Sequence, residues 1–158
     1  MSVDFLNAAL DAVVSTLAAS TIFMATGTGT ITKVERRSLM KFTAIFDQDL
    51  PYAGICLSED GELESESSLG STEVGMDVLV WLYGRGADSA ALEASLLKAK
   101  AALLRIVDTE VRADRFGGTV GNARYKGGPQ VDTEEASANF GLLCTAQLEL
   151  WVPRPPTG

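Results

Sequence analysis

The sequence predicts an α+β fold in which an antiparallel or mixed β-sheet carries two α-helices on one face, in the order α-β-β-α-β-β. Three observations predict it. Two segments repeat their apolar residues at helix spacing, two long runs alternate in the manner of strands, and helices and strands come in blocks instead of alternating one for one. At 158 residues, 46% of them hydrophobic, the chain is sized for one domain with one core, burying roughly 70% of the surface its unfolded form exposes. Residues 1–152 are read as that domain, and 153–158, "PRPPTG", as a flexible tail.

The first element is a helix. In "VDFLNAALDAVVSTLAAS", Leu6, Leu10, Val13 and Leu17 recur at spacings of four, three and four, with Asp4, Asn7, Asp11 and Ser15 elsewhere. From Ala19 to Asp49 periodicity weakens, and the stretch is expected to be a long loop or arm over residues 20–45, with some strand character near Phe42 to Phe46. It holds a basic cluster, Lys33, Arg36, Arg37 and Lys41, offered as contacts of that arm with a neighbour. "PYAGICLS" then reads as a short strand, and "EVGMDVLVWLYG" as a long one, with Val74, Met76, Val78, Val80 and Leu82 on one face. The two are expected to pair, with the acidic stretch between them at the hairpin tip. The next segment, "GADSAALEASLLKAKAALLRIVD", offers Asp88 or Ser89 as N-cap and a core stripe of Leu92, Leu96, Ala99, Leu103 and Val107. A short strand in "GGTVGNARYKGG" and a long one in "SANFGLLCTAQLELWV" complete the order. Leu79, Trp81, Tyr83, Leu143 and Trp151 fall on the second face of the sheet, where large apolar residues call for cover. Contact with another chain is the favoured reading, and cover by the 19–49 loop the alternative.

Composition removes several function classes. With 13 Lys+Arg against 21 Asp+Glu, the net charge of -8 opposes non-specific adhesion to nucleic acid or anionic membrane. No run approaches the ~20 apolar residues of a membrane span, and the N-terminus lacks the basic n-region of a signal peptide, so a soluble protein made in the cytoplasm is expected. Cys56 and Cys144 lie in apolar runs and read as buried reduced thiols, a single disulfide being the alternative. There is no histidine, which excludes Ser-His and Cys-His catalysis and His-ligated metals. "GTGT" and the later glycines match neither a Walker loop nor a dinucleotide fingerprint. No catalytic residue, metal or cofactor is expected.

The stretch "SEDGELESES" places Glu59, Asp60, Glu62, Glu64 and Glu66 within ten residues. Its order is wrong for an EF-hand loop, and adjacent acids are not held across a pocket as a two-carboxylate hydrolase requires. In an extended chain Asp60, Glu62, Glu64 and Glu66 project to one side as a negative comb. A solvated hairpin tip, weak cation binding and a surface with an electrostatic task all remain open. Charge is also segregated. Residues 59–88 hold eight acids (59, 60, 62, 64, 66, 73, 77, 88) and one base, Arg85; residues 98–126 hold seven bases (98, 100, 105, 112, 115, 124, 126) and three acids (108, 110, 114). Such a module can join head to tail with copies of itself, and heterologous contacts of this kind close into rings. Arg112, Arg115, Arg124 and Lys126 are the candidate basic interface, and intramolecular neutralisation is the plainer alternative.

The segment "FDQDLPYAGICLSEDGELESESSLGSTEVGMDVLVWLYGRGADSAALEASLLKAKAALL" resembles the central part of the tail terminator family of long-tailed bacteriophages, the family of the lambda minor tail protein U. The shared features are an amphipathic first helix, an acidic lead into a short strand (here "PYAGIC"), an acid-rich turn, a long alternating strand ending in an aromatic residue, a capped helix and a final strand. The likeness covers roughly residues 3–20 and 45–152. It departs at Ala19–Phe46 and at "GGTVGNARYKGGPQVDTEE", both longer than the family pattern. The resemblance implies a structural virion protein at the tail–neck junction, assembled in the host cytoplasm. In that role a ring, hexameric in the family, caps the tail tube, ends its polymerisation and presents the docking surface for the head. Its partners would be other copies of itself, the tail tube protein and a head-completion or neck protein, and DNA would pass through the lumen without specific binding. The acidic comb would then face either that lumen or the basic flank of a neighbouring subunit. A related neck connector, or a small cation- or ligand-binding module, is the competing reading.

Overall fold

The structure, a computed structural model, describes residues 4–38, 45–58, 73–133 and 140–154. Among these the chain runs α1 (Phe5–Ala19), β1 (Lys33–Arg36), β2 (Tyr52–Leu57), β3 (Glu73–Gly86), α2 (Ser89–Arg112), a short turn α3 (Arg115–Gly118), β4 (Asn122–Thr133) and β5 (Phe140–Pro153). The fold is α+β, with a five-stranded mixed sheet in the order β1-β2-β3-β5-β4. Only β1 and β2 are parallel; the other three pairings are antiparallel.

Strand alternation sorts the sheet into two faces. One presents Ala53 and Ile55 of β2, Met76, Val78, Val80 and Leu82 of β3, and Leu142, Cys144, Ala146, Leu148, Leu150 and Val152 of β5. Against it pack Ala9, Leu10, Val13 and Leu17 of α1 and Leu96, Ala99, Leu103, Ile106 and Val107 of α2. Both helices therefore cover the same face, as their apolar periodicity predicts. α2 starts where Asp88 accepts hydrogen bonds from the amides of Ala90 and Ala91, each at 3.1 Å, satisfying two of the four amides a helix start leaves without partners.

Within the stretch expected as a long loop or arm over residues 20–45, residues 20–32 hold turns and an isolated bridge between Met24 and Ile31 but no helix or strand, and they pack into the molecule. Phe23 and Ile31 are fully buried in the main core, and the chain between them folds tightly enough that a side chain on Gly27 or Gly29 would collide with the backbone of Thr21 or Phe23. Then comes β1, an edge strand. The expected strand character at 42–46 lies largely outside the described residues; Ile45 and Phe46 are described and are not in a strand. β4 is twelve residues long, interrupted by a register shift between Gly127 and Gln130 where Pro129 removes a ladder donor.

The expectation for the second sheet face is corrected. Trp81 and Tyr83 are fully buried and Leu143 is 8% exposed, in a small second core with Ile45 and Tyr52, flanked by Leu50. Residues of the chain's own 45–52 segment therefore cover the aromatic half of this face, where contact with another chain was the favoured expectation. The Trp81 indole donates to the Arg37 carbonyl at 3.0 Å and lies directly over Gly54, where any Cβ would strike the ring. Burying one indole contributes roughly 4–6 kcal/mol by area, which is why the long connection folds back instead of projecting.

Candidate functional site

The surfaces that could meet partners are best located by the two ends of α2, which its 24 residues separate by about 36 Å. At its N-terminal end lie the end of β3, the start of β5 and the 45–51 segment. That segment is fastened by Arg85, whose guanidinium donates to Asp47 Oδ1 at 2.9 and 2.7 Å and to the Ile45 carbonyl at 2.7 Å. Lys33 reaches Asp49 at 3.6 Å and Glu35 at 3.2 Å. Two large aromatics are left outside, Phe46 at 70% and Phe140 at 54% exposure. Beside them open a cleft of about 450 Å³ lined by Ser89, Leu92, Glu93 and Phe140, and a second of about 390 Å³ lined by Asp47, Leu50, Arg85 and Leu92. The acids at this end, Asp47, Asp88 and Glu93, are exposed.

At the other end α2 stops at Arg112, and the chain turns through four residues of positive φ: Arg115 at 51°, Phe116 at 52°, Gly117 at 69° and Gly118 at 79°. Left-handed backbone costs a non-glycine residue roughly 1–2 kcal/mol. Here the cost is offset by Phe116, which the turn drives into the core at 1% exposure, and by Asp114, whose carboxylate accepts from the Gly117 amide at 3.2 Å. Arg112 and Arg115 remain exposed. Just inside, burial is the main influence on Glu110, and with the nearby Asp114 it raises that carboxyl's pKa against the opposing bonds from the Phe116 amide and Thr16.

The other expected basic residues are placed differently. Arg124 and Lys126 point to the open half of the second sheet face; Lys126 is paired with Glu149, and Arg124 stands opposite Glu149 in the register. Arg36 ties β1 to α1, donating to Asp11 at 3.1 Å and Asn7 at 2.6 Å, and Arg37 lies 3.6 Å from Glu35. Lys33, Arg36 and Arg37 thus fasten an edge strand to its own molecule. Lys41 and the comb Glu59, Asp60, Glu62, Glu64 and Glu66 lie outside the described residues. Their connection leaves from Ser58 and re-enters at Glu73, on the side of the sheet where α2 ends.

Two groups that the sequence did not single out complete the picture. Tyr52 donates to Glu35 at 2.5 Å; that bond, then Lys33 and Arg37, hold the Glu35 carboxyl below its usual range against the opposing effect of burial, while burial, then Glu35, push the Tyr52 hydroxyl up to about 12. On the open half of the same face a groove of about 380 Å³ runs past Cys56, Leu79, Thr145, Gln147 and Pro129. Cys56 and Cys144 are not joined in a disulfide, and burial raises the Cys144 thiol. Sequence carried no signal for the first group, because "KVER" is too short to show that it is a strand with Lys33 and Glu35 on one face. No helix among the described residues is long and apolar enough to cross a membrane.

No family model matches this chain, and comparison with curated proteins yields no match.

Proposed function

We propose that this chain is a structural virion protein whose copies close into a ring, hexameric by analogy with the tail terminator family, on the end of a phage tail tube. There it ends tube growth and offers the surface on which the filled head docks. The observation that supports this reading is the difference between the two ends of the molecule along α2. One end carries two outlying phenylalanines beside clefts, with Asp47 tied to Arg85. The other carries the exposed Arg112 and Arg115, among Asp108 and Asp114, where Phe116 anchors the turn in the core, and the acid-rich connection between Ser58 and Glu73 leaves and re-enters on that same side. An end with outlying aromatics and an end with exposed charges suit heterologous contacts between copies, and those close into rings when the rotation permits. DNA would pass through the lumen unbound, as the net charge of -8 favours.

Light scattering coupled to size exclusion, alone and after mixing with isolated tail tubes imaged by electron microscopy, tests this. The expected species is a ring of about six chains of 16.7 kDa, in solution or at tube ends, and the R112E/R115E variant should fail to form it. A chain that stays monomeric at every concentration and never appears at tube ends would overturn the reading.

A further inference from the structure

The outward side of α2 is apolar where a solvated helix is ordinarily charged. At 100° per residue its core stripe is Leu92, Leu96, Ala99, Leu103 and Ile106. The opposite arc holds Ala90, Ala94, Leu97, Ala101 and Leu104, spaced four, three, four and three, and all five are exposed. Leu97 is 47% and Leu104 42% exposed. Over about 21 Å of helix no charged or polar side chain falls on this arc. Alanine alone would carry no message, since it is the best helix former. Two leucines seven residues apart, with alanine hollows between them, have the spacing at which a second helix packs its own knobs.

The charged residues of this stretch border the seam. Glu93 and Lys100 lie along one side, Lys98 and Arg105 along the other. Lys100 is held by the Gly128 carbonyl at 3.2 Å, whereas neither Lys98 nor Arg105 enters an ion pair among the described residues. We propose that this arc docks an amphipathic helix of another protein, with large aliphatic side chains seated over Ala94 and Ala101 and carboxylates along the border that meets Lys98 and Arg105. A second copy of α2 presents mixed borders: a parallel pairing sets Lys100 against Arg105 but Glu93 against Lys98, and an antiparallel one seating Leu97 of each copy over Ala101 of the other sets Lys98 against Lys98, whereas carboxylates along the partner's border meet attraction at both Lys98 and Arg105. The proposal stands on α2 alone and does not depend on the ring.

A synthetic three-heptad helical peptide with leucine on its seam and glutamate on both borders is the probe, and the same peptide with lysine borders is the control. Titration followed by fluorescence anisotropy should show the glutamate peptide binding at least about tenfold more tightly than the lysine peptide. L97Q/L104Q should abolish binding, and K98E/R105E should reverse the preference. All four positions are exposed, so the variants should keep the wild-type circular dichroism and melting temperature. Absence of saturable binding by the glutamate peptide, or binding that survives L97Q/L104Q, would overturn the proposal. So would self-association of the chain that L97Q/L104Q abolishes, which would give the seam to a second copy.

Discussion

Tyr52 ties three parts of the molecule through one side chain: its ring supports Trp81, with centroids 5.1 Å apart, and its hydroxyl holds Glu35 of the edge strand. Tyr52→Phe should cost about 1–2 kcal/mol, read by urea denaturation. The pH dependence has two arms. Because the folded hydroxyl keeps its proton up to about 12, against 10.0 ordinarily, stability falls as pH rises through that interval, and the phenylalanine variant loses this slope. Because Glu35 is lowered, chiefly by the Tyr52 bond, it contributes stability above the ordinary carboxylate range that is lost as pH falls through its folded value; that arm also flattens in the variant. Melting temperatures across both ranges check the two signs. Gly54→Ala is expected to destabilise by at least about 2 kcal/mol, since the new methyl meets a fully buried indole with nowhere to move. A strand glycine signals close approach in general, but which ring approaches it is a matter of register, and the sequence does not carry that.

The 45–52 segment is a strap held over the aromatic half of the sheet, and Arg85 is its main fastening. Arg85→Ala should loosen it while leaving the helix-side core intact. The expected signs are a red-shifted tryptophan emission and stronger acrylamide quenching as Trp81 gains water, with a loss of about 1–3 kcal/mol in stability. An emission spectrum identical to wild type would mean the strap is held by its apolar contacts alone. At this scale α1, α2, β3 and β5 were legible because each repeats its pattern long enough to show a period. β1 was not. Its four residues, "KVER", are too few to show alternation, and its only strand partner among the described residues is the parallel β2. The tryptophan and tyrosines on the second face correctly signalled that something covers them, but period alone cannot say whether the cover is another chain or the same one.

At the scale of the whole molecule, segregated charge was legible from composition by position, whereas its placement needed the fold. Arg112 and Arg115 stand exposed at one end of α2, in no ion pair among the described residues, while Arg124 and Lys126, grouped with them in sequence, turn onto the open sheet face beside Glu149. If opposite ends join neighbouring copies, assembly should weaken with ionic strength. The mass seen by light scattering should fall as salt rises from about 0.05 to 0.5 M, where the Debye length drops severalfold; a mass indifferent to salt would point to apolar contacts through Phe46 and Phe140 instead. The strand order has a further consequence, for how each copy is made. β5 is the last described strand to be synthesised, yet it lies inside the sheet, pairing fourteen residues with β3 and ten with β4. Until it emerges from the ribosome, β4 has no neighbour and β3 has one open edge. Folding of the sheet therefore waits for the synthesis of β5, and during that wait the nascent chain exposes the kind of long apolar edges that recruit chaperones or aggregate.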